Sequence, residues 1–214
     1  MTDPHAAVSI RAHFERFPAT VKGAFVVRGE DADPHQVAIG AARSVPAAGA
    51  PARPIDLAPV VLDAAPHADL FVPFELPVSD LEPGWYALEC DADVDGVAAT
   101  FRAGKQFVVP WPRASVRRGT LPVRRRLEHS SRVVDVDRVE CTADSTRVHV
   151  VAAPADGPEL RLSADGDPLP VVDERPDEDS GEGVVAAYPL LRTHETLSIS
   201  IAARGAPSIE LSLP

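Results

Sequence analysis

Two charged runs of opposite sign hold the densest chemistry in the sequence. Asp91-Ala-Asp93-Val-Asp95-Gly96 opens like a calcium loop, D-x-D-x-D-G, in which alternate carboxylates converge on one cation. The twelfth position of such a loop supplies a bidentate Glu; here it is Arg102. Asp95-Gly96 also lies between two strand-like runs and signals a two-residue hairpin turn. A solvated hairpin is therefore expected, and Asp91, Asp93 and Asp95 are metal candidates second to it. The opposite run comprises Arg113, Arg117, Arg118, Arg124, Arg125 and Arg126, the one strongly basic segment of an acidic chain. Planar guanidinium groups suit phosphate. The cluster fits either an anionic partner or pairing with acidic domain faces.

The remaining chemistry is sparse. Asp135-Val-Asp137 forms a D-x-D pair, but with no βαβ units around it the pair reads as alternating carboxylates on a strand. The seven histidines make neither H-x-H nor H-E-x-x-H, and no cysteine pair stands beside them, so a zinc site is not expected. G-x-S-x-G and the glycine-rich phosphate loops are missing, and Ser130-Ser131 beside His129 lacks a base held by a third group. No cofactor is expected. An enzyme would need Asp, Glu and His residues gathered from distant strands. Trp85 and Trp111 are the only plausible sugar platforms; a sheet edge suits Trp85 better, and a hinge between domains suits Trp111.

Composition narrows the classes further. Of 214 residues 45% are apolar, enough for a core, and 22 are proline. Lys+Arg 21 against Asp+Glu 32 leaves a net charge of −11, which disfavours nucleic acid and anionic membranes as partners. No run approaches the roughly 20 apolar residues that span a bilayer, so membrane insertion is not expected. The first residues lack a basic and an apolar signal region, and the two cysteines, Cys90 and Cys141, stand far apart, so a cytoplasmic protein without disulfides is expected. Nineteen of the basic residues are Arg and two are Lys, a bias that fits a GC-rich bacterial genome rather than a function.

Elements of period two must position these residues. Val8, Ile10, Ala12 and Phe14 share one face of a strand, and Ser9, Arg11 and His13 the other. Further strands are expected at about 20–29, 36–44, 54–63, 68–76, 85–93, 97–102 and 106–109. After the proline- and arginine-rich stretch 110–130 they resume at about 131–141, 146–153, 158–163, 168–173, 184–190, 196–203 and 207–213. Asp165-Gly166 marks a second hairpin, and 173–183 an acidic loop. Cys90 falls on the core face with Tyr86 and Leu88. Many short strands with turn signals between them predict an all-β protein of tandem β-sandwiches. Residues 1–112 form the first module, 113–130 a basic linker or seam, and 131–214 the second module. Of eleven aromatic residues ten lie at or before Trp111, so the second core must be aliphatic. One continuous sandwich or barrel is the alternative.

The segment Leu81-Glu-Pro-Gly84-Trp-Tyr86-Ala-Leu-Glu-Cys90 carries a resemblance. Its Leu-x-x-Gly-x-Tyr pattern resembles the corner entering strand F of immunoglobulin-like domains, where a Tyr hydroxyl bonds back to the chain. Cys90 lies four residues after Tyr86, not two, and no early cysteine can pair with it. From about 70 to 150, including Trp111-Pro-Arg-Ala-Ser-Val-Arg-Arg-Gly-Thr-Leu-Pro-Val, the chain is similar to β-rich accessory regions of actinobacterial cell-envelope glycosyl- and glycerophosphotransferases. Those regions are non-catalytic and help attach, orient or oligomerise the transferase. The resemblance implies two tandem immunoglobulin-like β-sandwiches in a binding or adaptor protein. Its partner would be a protein or an anionic envelope polymer, met at Trp85, Trp111, Arg117, Arg118, Arg124, Arg125 and Arg126. A structural subunit of a larger assembly and an enzyme with a dispersed site are the alternatives.

Overall fold

A computed structural model describes residues 3–152, 159–176 and 182–214. The expected strand limits at 153 and 158, and positions 177–181 of the acidic loop, lie outside the described residues. Among those described the only helix is the single turn α1, Pro4–Ala7, and none is long and apolar enough to cross a membrane. The rest is antiparallel strand and connection, an all-β, sandwich-like architecture. The chain divides into two compact units, Met1–Val109 and Pro110–Pro214.

The first unit holds β1 (Val8–Arg16), β2 (Thr20–Gly29), β3 (His35–Pro46), β4 (Arg53–Ile55), β5 (Val60–Ala64), β6 (Asp69–Pro77), β7 (Gly84–Val94) and β8 (Val97–Val109). One sheet has the order β1-β2-β6. The other runs β4-β3-β7-β8, with β5 beside β4 along the same edge of β3. The alternation of β1 is realised: Val8, Ile10 and Phe14 are buried, while Arg11 and His13 face solvent. Aromatic rings fill this core, Phe25 against Phe74 at 4.9 Å and Tyr86 stacked on Phe107 at 5.4 Å. The Tyr86 hydroxyl donates back to the carbonyl of Glu82 at 2.8 Å. Asp95 and Gly96 turn β7 into β8 with φ of +51° and +84°, the paired left-handed residues of a two-residue hairpin. What reads as a gap between 97–102 and 106–109 is a register slip inside one continuous strand.

The second unit holds β9 (Gly119–His129), β10 (Arg132–Cys141), β11 (Thr146–Ala152), β12 (Leu160–Ala164), β13 (Asp167–Leu169), β14 (Val171–Pro176), β15 (Gly183–Ala187), β16 (Thr196–Ile201) and β17 (Ser208–Ser212). Its sheets are ordered β14-β15-β11-β10-β9 and β13-β12-β16-β17. Leu190, Leu197, Ile199 and Ile201 are fully buried among other aliphatic side chains, as the lack of aromatic residues requires.

The seam expected over 113–130 needs correction. Residues 119–129 form β9, paired along β10 from Gly119 opposite Cys141 to His129 opposite Arg132. The arginines hide a strand because Val123 and Leu127 carry its buried side while the charges stay in water. The stretch before β9 is also fastened within the second unit. The amide of Arg117 donates to Leu190 O, and that of Arg192 to Ser115 O, both at 2.8 Å, around a fully buried Val116.

Candidate functional site

Strand β9 has β10 on one side and is an outer strand of its sheet. Along it the sequence places Arg124, Arg125 and Arg126, with Arg118 one residue before it begins. A register slip interrupts the pairing: Arg125 lies opposite Val136 but Pro122 opposite Arg138, so β9 carries one more residue than its partner. Arg124 absorbs that residue with φ +48°. Such a bulge bends the strand and re-aims the side chains on either side.

The three adjacent arginines thereby meet different surroundings. Arg126 lies directly opposite Asp135 and grips it with both ends of its fork, Nε to Oδ1 at 2.6 Å and Nη2 to Oδ2 at 2.8 Å. This hydrogen-bonded guanidinium holds the Asp135 carboxyl below the usual carboxylate range. Arg118, Arg124 and Arg125 are exposed and make no ion pair among the described residues. The side chain of Arg117, by contrast, is used internally. It donates to the carbonyls of His194 at 2.8 Å, Arg192 at 3.3 Å and Pro214, gathering main chain within the second unit.

The expected tryptophan sites also divide. Trp111 meets Tyr188 edge-on with centroids 5.1 Å apart, a contact within the second unit. Trp85 is half-buried on β7 in the first unit, its carbonyl accepting from the Ala47 amide at 2.9 Å. Of the seven proposed binding residues, the structure gathers Arg118, Arg124, Arg125 and Arg126 on or beside one strand. It assigns Arg117 and Trp111 to packing within the second unit.

The metal reading of Asp91, Asp93 and Asp95 gives way to the hairpin. All three carboxylates are engaged by donors of the chain itself, which is what a hairpin requires of them. Each fastens local structure. Asp91 takes Arg43 through Nη1 at 2.5 Å and Nη2 at 3.1 Å, and the Thr100 hydroxyl at 2.7 Å. Asp93 accepts the Gly96 amide at 2.6 Å, and Asp95 accepts the Gln36 amide at 2.8 Å. The D-x-D pair on β10 behaves likewise: Asp135 binds Arg126, and Asp137 binds Arg138 at 2.8 Å.

One constellation escaped sequence reasoning. His35 opens β3 and is 6% exposed. Its Nδ1 lies 2.6 Å from Asp95 Oδ2 and its Nε2 2.7 Å from Asp31 Oδ1. The Asp31–His35 spacing was visible, but Asp95 is 60 residues away and reaches the ring only because β3 pairs with β7. No protein-family model matches the chain, and no curated protein matches it either.

Proposed function

We propose that the chain is a non-catalytic binding protein of two immunoglobulin-like β-sandwich modules, accessory to cell-envelope polymer synthesis. The β9 edge is its contact surface for an acidic partner. One observation carries this reading: among the described residues Arg118, Arg124 and Arg125 have no carboxylate partner, in a chain whose net charge is −11. Most guanidinium groups elsewhere in the chain meet a carboxylate or a carbonyl, as Arg28, Arg43, Arg102, Arg117 and Arg132 do. Two neighbouring unneutralised cations on a strand repel each other, and an incoming anion relieves that repulsion. The bulge at Arg124 blunts the edge against indiscriminate strand pairing while it presents the two charges. The immunoglobulin-like part of the reading draws support from the Tyr86 hydroxyl, which bonds back to Glu82 O as in the tyrosine corner of that class. Against an enzyme, Cys90 is pushed up to about 12 by burial, so its thiol is a poor nucleophile.

The test replaces Arg118, Arg124 and Arg125 together with Gln and leaves Arg117 and Arg126 in place. Exposed charge contacts are worth about 0.2–1 kcal/mol each, so with three removed binding to poly-L-glutamate at physiological salt should weaken roughly 3-fold to 160-fold. The loss should shrink as salt rises, since screening weakens the wild-type contacts. A triple variant that binds as the wild type does, with an unchanged unfolding midpoint, removes β9 as the contact surface. Polyphosphate in place of poly-L-glutamate separates an anionic polymer from an acidic protein segment as the better ligand.

A further inference from the structure

We propose that His35 is a pH-sensitive clasp: as an imidazolium it ties the loop 30–34 to the tip of the β7–β8 hairpin, and loss of its proton opens that end of the first unit. This inference concerns other residues than β9 and stands independently of the binding function.

The geometry sets the protonation requirement. An ionised carboxylate only accepts hydrogen bonds, so each ring nitrogen must donate, Nδ1 to Asp95 at 2.6 Å and Nε2 to Asp31 at 2.7 Å. A neutral imidazole has one N–H. Deprotonation therefore turns a ring lone pair toward a carboxylate at hydrogen-bond distance. The ring is 6% exposed while the Asp31 and Asp95 side chains are 39% and 46% exposed, so the repulsion is relieved by the two carboxylates, with the loop and the hairpin tip that carry them, moving outward from the ring into water.

Both carboxylates are held in position by backbone. Asp31 Oδ1 also accepts the Asp33 amide at 3.1 Å, and Asp95 Oδ1 accepts the Gln36 amide at 2.8 Å. The base of the loop is anchored separately, through the Glu30 amide to Ala7 O at 2.9 Å and the Ser9 hydroxyl to the Glu30 carboxylate. Only the part beyond Glu30 depends on the ring. The charges around it are mostly negative: Glu30, Asp31 and Asp33 from the loop, Asp93 and Asp95 from the hairpin, and Asp63 on β5 opposite Gln36. Arg11 of β1 stands 3.8 Å from Glu30, and His67 follows β5.

The hydrogen bond that the ring donates to Asp95, then the one it donates to Asp31, holds His35 above the ordinary imidazole value of 6.5, against the opposing effect of burial. The same bonds hold both carboxyls below their ordinary value of 3.8. A raised folded-state value means that the clasp contributes fully below about 6.5 and is lost as pH rises through the folded pKa of His35. At the acid end its contribution is present above about 3.9 and lost as pH falls through the folded values of the two carboxyls. The clasp is closed between those limits.

The deciding experiment is an NMR titration of the His35 ring in the full chain, with amide protection followed in parallel. The ring should titrate above 6.5, the ordinary imidazole value. Through that step the protection factors of Asp33 and Gln36 should fall about tenfold or more, as a charge-assisted hydrogen bond is lost. Val139 on β10, in the other unit, should not change. Asp31→Asn and Asp95→Asn should each lower the titration point, and Asn tolerates the left-handed backbone at 95. His35→Gln should remove the step. A ring titrating at or below the ordinary value overturns the proposal, and so does unchanged protection of Asp33 and Gln36 through the step. The wild-type titration decides the matter even where a variant fails to fold.

Discussion

Cys90 shows how far a single position is determined by its neighbours. Alternation along β7 places it beside Tyr86 and Leu88 on the core face, and the structure buries it completely. Burial, with a lesser push from Asp91, raises its thiol to about 12, so almost no thiolate exists at neutral pH. Native protein treated with a disulfide reagent at pH 8 should therefore leave Cys90 unmodified, whereas guanidinium should expose it; rapid modification of the native chain would show that the first core opens readily. A back-bond from the Tyr86 hydroxyl is what the Leu-x-x-Gly-x-Tyr resemblance implies, and the structure supplies its acceptor, the Glu82 carbonyl. His35 was not legible. Its two partners come from a loop and a hairpin tip, and only the pairing of β3 with β7 brings Asp95 to it. Likewise, nothing in Arg124-Arg125-Arg126 reveals that only the third finds Asp135, because that depends on the register with β10.

At the scale of elements, period-two alternation located most strands, and errors arose where charge or glycine disguised it. In sequence β9 resembles a linker because arginine outnumbers its inward aliphatic residues, yet Val123 and Leu127 suffice to hold it on the core. The run 54–63 has the pattern of one strand and forms two, β4 and β5, lying in succession along β3. The Asp95-Gly96 turn was legible because its backbone demand is local. Gly23 makes a different demand. It sits opposite Phe14 in the β1–β2 ladder, and a Cβ there would lie 2.1 Å from the His13 carbonyl oxygen and 2.7 Å from the Phe14 Cβ. Backbone on both sides cannot yield without parting the strands. Gly23→Ala should destabilise the first unit by about 1–3 kcal/mol, the usual penalty of overpacking, measured by chemical denaturation. An unchanged midpoint would mean that β1 and β2 are less closely apposed than the structure has them.

Over the whole molecule the aromatic residues are divided so unevenly that the two cores differ in chemistry. The first stacks Phe and Tyr rings; the second packs Leu, Ile and Val, with Leu197 fully buried between the two sheets of its unit. Each unit closes its own core, so damage to one core should remain within that unit. The two tryptophans make this measurable, since Trp85 belongs to the first unit and Trp111, against Tyr188, to the second. In a Trp85→Phe background fluorescence reports on the second unit alone, and in a Trp111→Phe background on the first. Leu197→Ala removes three buried carbons and leaves a cavity, which should cost about 2–5 kcal/mol. The midpoint of guanidinium unfolding read through Trp111 should fall, while that read through Trp85 stays in place. An equal shift of both midpoints would show one cooperative structure, and the two units would then have to be treated as a single folding domain.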